Sequence, residues 1–127
     1  MISYVFIVNF MTNTSTGTYG EELACNYLKK LGYKILERNF RIRGGEIDIV
    51  AEDKDSQIVF VEVKTRYTHE YGDPAEAITP WKIRSLTRAC QFYLSKNQFD
   101  HKPYRIDVVT IDLTNSKKIN HFQNITA

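Results

Sequence analysis

The sequence predicts a single α/β domain, a mixed β-sheet with helices packed against it, and three observations predict it. Apolar residues recur at helical spacing over Tyr19 to Leu31 and again from Pro80 to about Lys96. Between these helices lie three short strand-like runs on short connectors, which favours an antiparallel meander. A fourth apolar run follows the second helix, and a crossover of that length allows it to pair in parallel. At 127 residues the chain suits one hydrophobic core without staples.

The N-terminal decamer MISYVFIVNF is apolar, yet too short to cross a bilayer and without the basic region or cleavage site of a signal peptide. The polar linker TNTSTGT follows, so residues 1–16 are set apart as an N-terminal extension and 17–127 as the domain. In the first helix Leu23, Ala24, Tyr27, Leu28 and Leu31 form the apolar face, and Gly32 takes the C-cap position. Glu21 and Glu22 fall in its first turn, where the helix dipole favours acids. Tyr33 to Ile42 alternates as a strand, and Gly45 is assigned the tight turn that follows. Ile47 to Ala51 and Ile58 to Val63 read as a hairpin around the connector AEDKDSQ.

After Arg66, the stretch YTHEYGDPAEAI reads as a loop, and its His69 as a surface residue. Thr79 and Pro80 start the second helix as N-cap and first helical residue. Its buried face is assigned to Trp81, Leu86, Ala89, Cys90 and Tyr93 or Leu94, with Lys82, Arg84 and Arg88 off that face. Pro103 to Leu113 is a strand with a continuous core from Ile106 to Ile111, as a fully buried strand has. Asp107 inside it must pair with Arg105 or another arginine, or cap a turn. In the tail, KINHFQ suggests a short edge strand.

The chemistry concentrates between Gly44 and Arg66. Asp48 stands between Ile47 and Ile49, and Glu62 between Val61 and Val63. A carboxylate inside an apolar strand is costly to bury unless it is paired or binds a metal. Lys64 shares the strand face of Glu62, and the closed hairpin turns Asp48 towards the same pocket. Hard oxygen ligands with open water positions suit Mg²⁺ or Mn²⁺, and a nearby lysine orients an attacking water or stabilises charge on a phosphoryl oxygen. The set suits metal-dependent hydrolysis of a phosphodiester. Glu46 faces the same side as Asp48, as an additional ligand, a partner of Lys64 or an arginine, or a salt-bridged edge residue.

Hydrophobic residues at 43% and charged residues at 25% are ordinary globular values, which argues against disorder and against a membrane protein. A net charge of +2 excludes a histone-like polycation, so any nucleic acid must be met by a local basic face. Arg38, Arg41, Arg43, Lys64, Arg66, Lys82, Arg84 and Arg88 cluster in sequence around the proposed site; the alternative is a solvated charged surface. Cys25 and Cys90 lack the spacing of a zinc or redox site and read as small buried hydrophobes in a reducing cytoplasm.

An Asp and an E-x-K motif on two adjacent strands resemble the P-D…(D/E)-x-K nuclease superfamily with its restriction-endonuclease-like fold, although Ile47 stands where the superfamily often has proline. More closely, GEELACNYLKKLGY, GGEIDIVA and FVEVKTR, from about Gly17 to about Asp112, resemble the YraN family. These are small bacterial proteins regarded as nucleases and distantly similar to archaeal Holliday-junction resolvases. The resemblance implies an αβββαβ core and endonuclease activity on nucleic acid, structured or branched DNA foremost. It makes Asp48 and Glu62 ligands of Mg²⁺ or Mn²⁺, with the Val63 carbonyl as a third oxygen and Lys64 at the attacking water. Glu21, by its place in the family pattern, completes the metal shell, with Glu22 the fallback. Lys82 matches a lysine that recurs near the start of the second helix, and with Arg41, Arg43 and Arg66 it would hold the phosphate backbone. A four-way junction as substrate would call for a homodimer. Two rivals stand beside this: a nucleic-acid-binding module of the same fold without catalysis, and a buried ion network of Asp48, Glu62, Lys64 and Arg66 that only holds the fold together.

Overall fold

The computed structural model describes residues 13–66, 78–114 and 116–126, with side chains from residue 18 onward. The N-terminal decamer and the loop that carries His69 lie outside the described residues. Helix α1 spans Asn13–Lys30, and strands β1 (Lys34–Ile42), β2 (Gly45–Glu52) and β3 (Ile58–Arg66) follow it. Helix α2 (Pro80–Lys96), β4 (Tyr104–Asp112) and β5 (Lys118–Phe122) complete the order. The five strands form one sheet in the order β1-β2-β3-β4-β5. All neighbours are antiparallel except β3 and β4, which α2 joins by a crossover and which pair in parallel from Ile58↔Tyr104 to Arg66↔Asp112. This is the expected αβββαβ order, with β5 added at one edge.

Helix α1 begins at Asn13, upstream of the expected Tyr19, so the residues taken for a linker form its first turns and the boundary set at residue 17 falls inside it. A run of Thr, Ser and Gly has weak helix propensity, and docking of the downstream apolar face overrides it. That face brings Ala24, Cys25 and Leu28 onto Ile49, Ala51, Val59, Val61, Val109 and Ile111. On the opposite side of the sheet, Leu86, Ala89, Cys90, Tyr93 and Leu94 of α2 cover Phe40, Ile47, Val50, Ile58, Phe60 and Ile106. A sheet covered on both faces has no polar side, which is why β3 and β4 read as continuous apolar runs. Both cysteines are buried and free, one in each core and separated by the sheet.

Trp81 departs from expectation. It was assigned to the buried face of α2 and is 66% exposed, while Tyr93 and Leu94 are both buried. The sheet-facing place in the first turn is taken instead by Lys82, whose ammonium reaches back to Glu62. Gly45 is also reassigned. The left-handed residue of the β1–β2 turn is Gly44, with φ of 84°. Gly45 is needed for space, since a Cβ there would stand 2.8 Å from the Ser85 carbonyl oxygen of α2.

Asp107 is fully buried and finds its partners on β4, on β5 and beyond. Its carboxylate accepts from Arg105 Nε (3.1 Å), bonds His121 Nε2 (2.8 Å) and accepts from the Asn124 backbone N–H (2.9 Å). Arg105 also donates to Asp53, Gln57 and Tyr33, so the cluster ties the β2–β3 turn, the end of α1 and the edge strand together. Burial alone would raise the Asp107 pKa, but these bonds hold it below the ordinary carboxylate value. Neither described helix is long and apolar enough to cross a membrane.

Candidate active site

The hairpin that carries the acids is closed at its turn and open at its far end. Asp53 Oδ1 closes the turn by accepting from the backbone N–H groups of Asp55 (2.9 Å) and Gln57 (3.0 Å). From there β2 and β3 pair from Glu52↔Ile58 to Ile49↔Val61 and no further. Just past Ile49 the pleat breaks step, for Ile47 belongs to the α2 core while Ile49 and Ala51 belong to the α1 core. Asp48 stands at this break. Its Oδ2 accepts the Val63 backbone N–H at 2.8 Å, filling the place a neighbouring strand's carbonyl would occupy. Because the N–H and C=O of one residue in an extended strand point to the same side, the Val63 carbonyl faces this opening as well.

Glu62 and Lys64 share the strand face of Phe60, the side covered by α2. The Glu62 side chain is only 6% exposed, and two ammonium groups lie at its Oε1: Lys64 Nζ at 3.6 Å and Lys82 Nζ at 3.4 Å. Lys82 is delivered by the start of α2, where Thr79 Oγ1 accepts the Lys82 backbone N–H at 3.1 Å and Pro80 pre-sets the first helical φ. The expected set of two carboxylates and one lysine therefore gains a second lysine. Sequence spacing could not supply it, because 20 residues of chain separate Lys82 from Glu62.

The acid on α1 is resolved by geometry. Glu22 turns outward and pairs with Arg38 at 2.8 Å. Glu21 is half-buried, hydrogen-bonds Asn39, and is close enough to Asp48 for its charge to raise the Asp48 pKa. The approach depends on Gly20, since a Cβ there would collide with Thr65 Oγ1 of β3. Burial raises the Glu21 pKa, against the lowering effects of Asn39 and Arg38. Asp48 is raised further, to about 7, first by burial and next by the Glu62 charge, with the Val63 N–H opposing. A buried carboxylate crowded by other carboxylates is stabilised by a proton or by a cation.

The arginines divide. Arg41, largely exposed, pairs with the half-exposed Glu46 at 3.5 Å, and the Glu46 charge also bears on Asp48 and Glu21, raising both pKa values. Arg43 is exposed beside the Gly44 turn, and Arg66 ends β3, its carbonyl accepting the Leu113 N–H at 2.8 Å. The structure thus gathers Asp48, Glu62, Lys64 and Lys82, with Glu21 at their side, and leaves Arg41 and Arg43 at the β1–β2 turn.

The comparisons with known proteins identify the family. A family model described as an uncharacterised protein family, UPF0102, matches residues 20–111. The chain belongs to UPF0102, the YraN family. A UPF0102 protein from Syntrophomonas wolfei is 51% identical over 113 residues, covering 88% of this chain and 97% of that protein. One from Clostridium botulinum is 49% identical over 102 residues (80% and 82%), and one from Clostridioides difficile is 41% identical over 114 residues (90% and 98%). Among solved structures, a chain in one titled Structure of EndoMS-dsDNA2 complex matches with a TM-score of 0.42 and 20% identity over 72% of this chain and 34% of that one.

The donor set bears on which metal would suit this chain. Among the described residues no three His, Cys, Asp or Glu side chains stand together as a ready-made cage. The opening offers Asp48, Glu62 and a peptide carbonyl, all hard oxygens. Donors of this kind could hold an ion that keeps several waters and binds through one or two carboxylates, as Mg²⁺ does.

Proposed function

We propose that this chain is a metal-dependent nuclease that hydrolyses phosphodiester bonds, with structured or branched DNA as its foremost substrate. The observation that carries this reading is the break between β2 and β3, where the half-buried Asp48 lies beside the buried Glu62 and the two lysines that pair with it. Asp48, Glu62 and the Val63 carbonyl would hold Mg²⁺ or Mn²⁺, and Glu21 would complete the shell through water. Bound there, the ion would polarise a phosphoryl oxygen and lower the pKa of a coordinated water.

The remaining work falls to the chain's own groups. Lys64, whose Nζ lies 3.6 Å from Glu62 Oε1, would orient the attacking water and counter charge that grows on the phosphoryl oxygens in the transition state. Lys82 holds Glu62 and presents its free N–H bonds to the approaching phosphate. The Asp48 carboxylate is anchored by the Val63 N–H, so one oxygen stays fixed while the other faces the substrate. Arg41, Arg43 and Arg66 supply sequence-independent backbone contacts whose strength falls steeply with salt. Recognition of a four-way junction would require two copies related by a two-fold axis, hence a homodimer. The chemistry and the free thiols of Cys25 and Cys90 suit a reducing cytoplasm.

A second reading is a nucleic-acid-binding module without catalysis, and it is favoured by the two ammonium groups already on Glu62 Oε1. The deciding experiment compares wild type with identically purified Lys64→Ala on labelled junction, flap, single-stranded and duplex DNA and RNA, with Mg²⁺ and with Mn²⁺. Cleavage by wild type that the variant loses supports the nuclease. Binding without cleavage by both proteins overturns it in favour of the binding module.

A further inference from the structure

The outward side of α2 has a composition the catalytic reading does not use. Trp81 is 66% exposed and Phe92 is 53% exposed, and Arg84 and Arg88 between them are exposed as well. At about 100° per residue these four side chains fall within about 80° of one another, off the arc of buried residues and along the β1 side of the helix, where the Phe92 ring lies 6.3 Å from that of Phe40. The helix PWKIRSLTRACQFYLSK contains no acid. The β1–β2 turn adds the exposed Arg43, next to Gly44, whose carbonyl accepts from Arg88 Nη2 at 3.3 Å. Aromatic rings interleaved with guanidinium groups make a surface for alternating bases and phosphates, and a helix face with arginines and no acid of its own favours a polyanion.

We propose that this stripe binds single-stranded nucleic acid, with bases stacked on Trp81 and Phe92 and phosphates held by Arg84, Arg88 and Arg43. Trp81 and Phe92 are eleven positions apart, about 16 Å along the helix axis, which spans roughly five nucleotides at the per-strand rise of about 3.4 Å. Trp81 points outward while its neighbour Lys82 points inward to Glu62, so a strand stacked on Trp81 is led directly to the acids. Resting on the nuclease reading, the surface makes the substrate one with an unpaired segment beside the scissile phosphate: a flap, a gapped duplex or a frayed branch point.

Trp81 is the single tryptophan of the chain, so its emission reports on this surface alone. The test titrates wild type with an oligothymidylate of about eight nucleotides, within the site sizes usual for such grooves, in metal-free buffer, with an oligouridylate and a blunt duplex in parallel. Quenching that saturates with either single strand and is weak with duplex is expected. Anisotropy of the labelled oligonucleotide should show roughly 5- to 100-fold weaker binding by Trp81→Ala, the range set by loss of one stacked base, and recovery in Trp81→Phe. Unchanged tryptophan emission at saturating oligonucleotide, or equal affinity of Trp81→Ala and wild type, overturns the proposal. So does a concentration-dependent dimer in sedimentation that Trp81→Ala abolishes while strand binding persists, because the face would then be a contact between copies of this chain. Quenching without cleavage would keep the surface and sink the nuclease; cleavage without quenching would do the reverse.

Discussion

Replacing Asp48 by Asn separates a metal site from a structural ion network, because the two make opposite predictions for stability without metal. In the folded chain the Asp48 pKa is raised from 3.8 to about 7, chiefly by burial and by the Glu62 charge. A raised folded pKa means that the fold favours the protonated acid. Ionised Asp48 therefore destabilises the protein progressively as pH rises from about 4 to about 7 and by a constant amount above that. At about 1.4 kcal/mol per pKa unit the ceiling is roughly 4 kcal/mol; relaxation and a weaker bond from the Val63 N–H to a neutral amide bring the net gain to about 2 kcal/mol. In chelator, Asp48→Asn should then melt roughly 6–10 °C above wild type at pH 8, with the advantage shrinking towards pH 4. Thermal melts of both proteins from pH 4 to pH 8 measure this directly. Added Mg²⁺ should raise the melting temperature of wild type and leave the variant unmoved. A variant that melts below wild type at pH 8 would refute the reasoning, since loss of one member of a satisfied buried ion network costs roughly 3–5 kcal/mol.

Three further outcomes follow from the geometry. Lys82→Ala removes one of the two ammonium groups from Glu62, so Mg²⁺ affinity measured by calorimetry should rise while the salt dependence of nucleic-acid binding falls by about one counterion; an unchanged slope would remove Lys82 from the interface. Asp107→Ala strips a fully buried carboxylate from Arg105, His121 and Asn124 and should cost roughly 3–5 kcal/mol in urea denaturation. Because its folded pKa is lowered, the stability Asp107 contributes is present above pH 3.8 and lost as pH falls below it, so the deficit of the variant should narrow only in acid. Gly20→Ala drives a Cβ into Thr65 Oγ1, which should cost about 1–3 kcal/mol by overpacking and move Glu21 away from Asp48; the double variant with Thr65→Ala should recover both stability and activity, and failure to recover would show that the close approach is not what places Glu21.

Much of the site was legible in the chain because its signal is local. Glu62 and Lys64 are two residues apart, and a strand puts such residues on one face whatever surrounds them. Asp48 needed only a hairpin whose polar turn is written in AEDKDSQ. The strand directions followed from connector lengths, since short links force antiparallel neighbours and a helix permits a parallel one, while the place of β4 beside β3 came from the structure. Trp81 misled because its hydrophobicity outweighs its phase: a large aromatic in a helix reads as core, yet its angular position lies off the arc of Leu86, Ala89, Cys90 and Tyr93. His121, on a short edge strand, carried no local mark of its bond to Asp107.

The sequence by itself determined where the strands lie and that two carboxylates stand inside apolar strands, one with a lysine on its own face, because side-chain period and the cost of burying charge act within a few residues. Only the tertiary structure decided that the Lys82 ammonium reaches Glu62, that Glu21 and not Glu22 faces Asp48, and that the β2–β3 pairing stops where Asp48 takes the Val63 N–H. The first two depend on how closely a helix may approach the sheet, set by Gly20, Gly45 and the Thr79 cap, and that distance is a property of packed surfaces that no stretch of sequence contains.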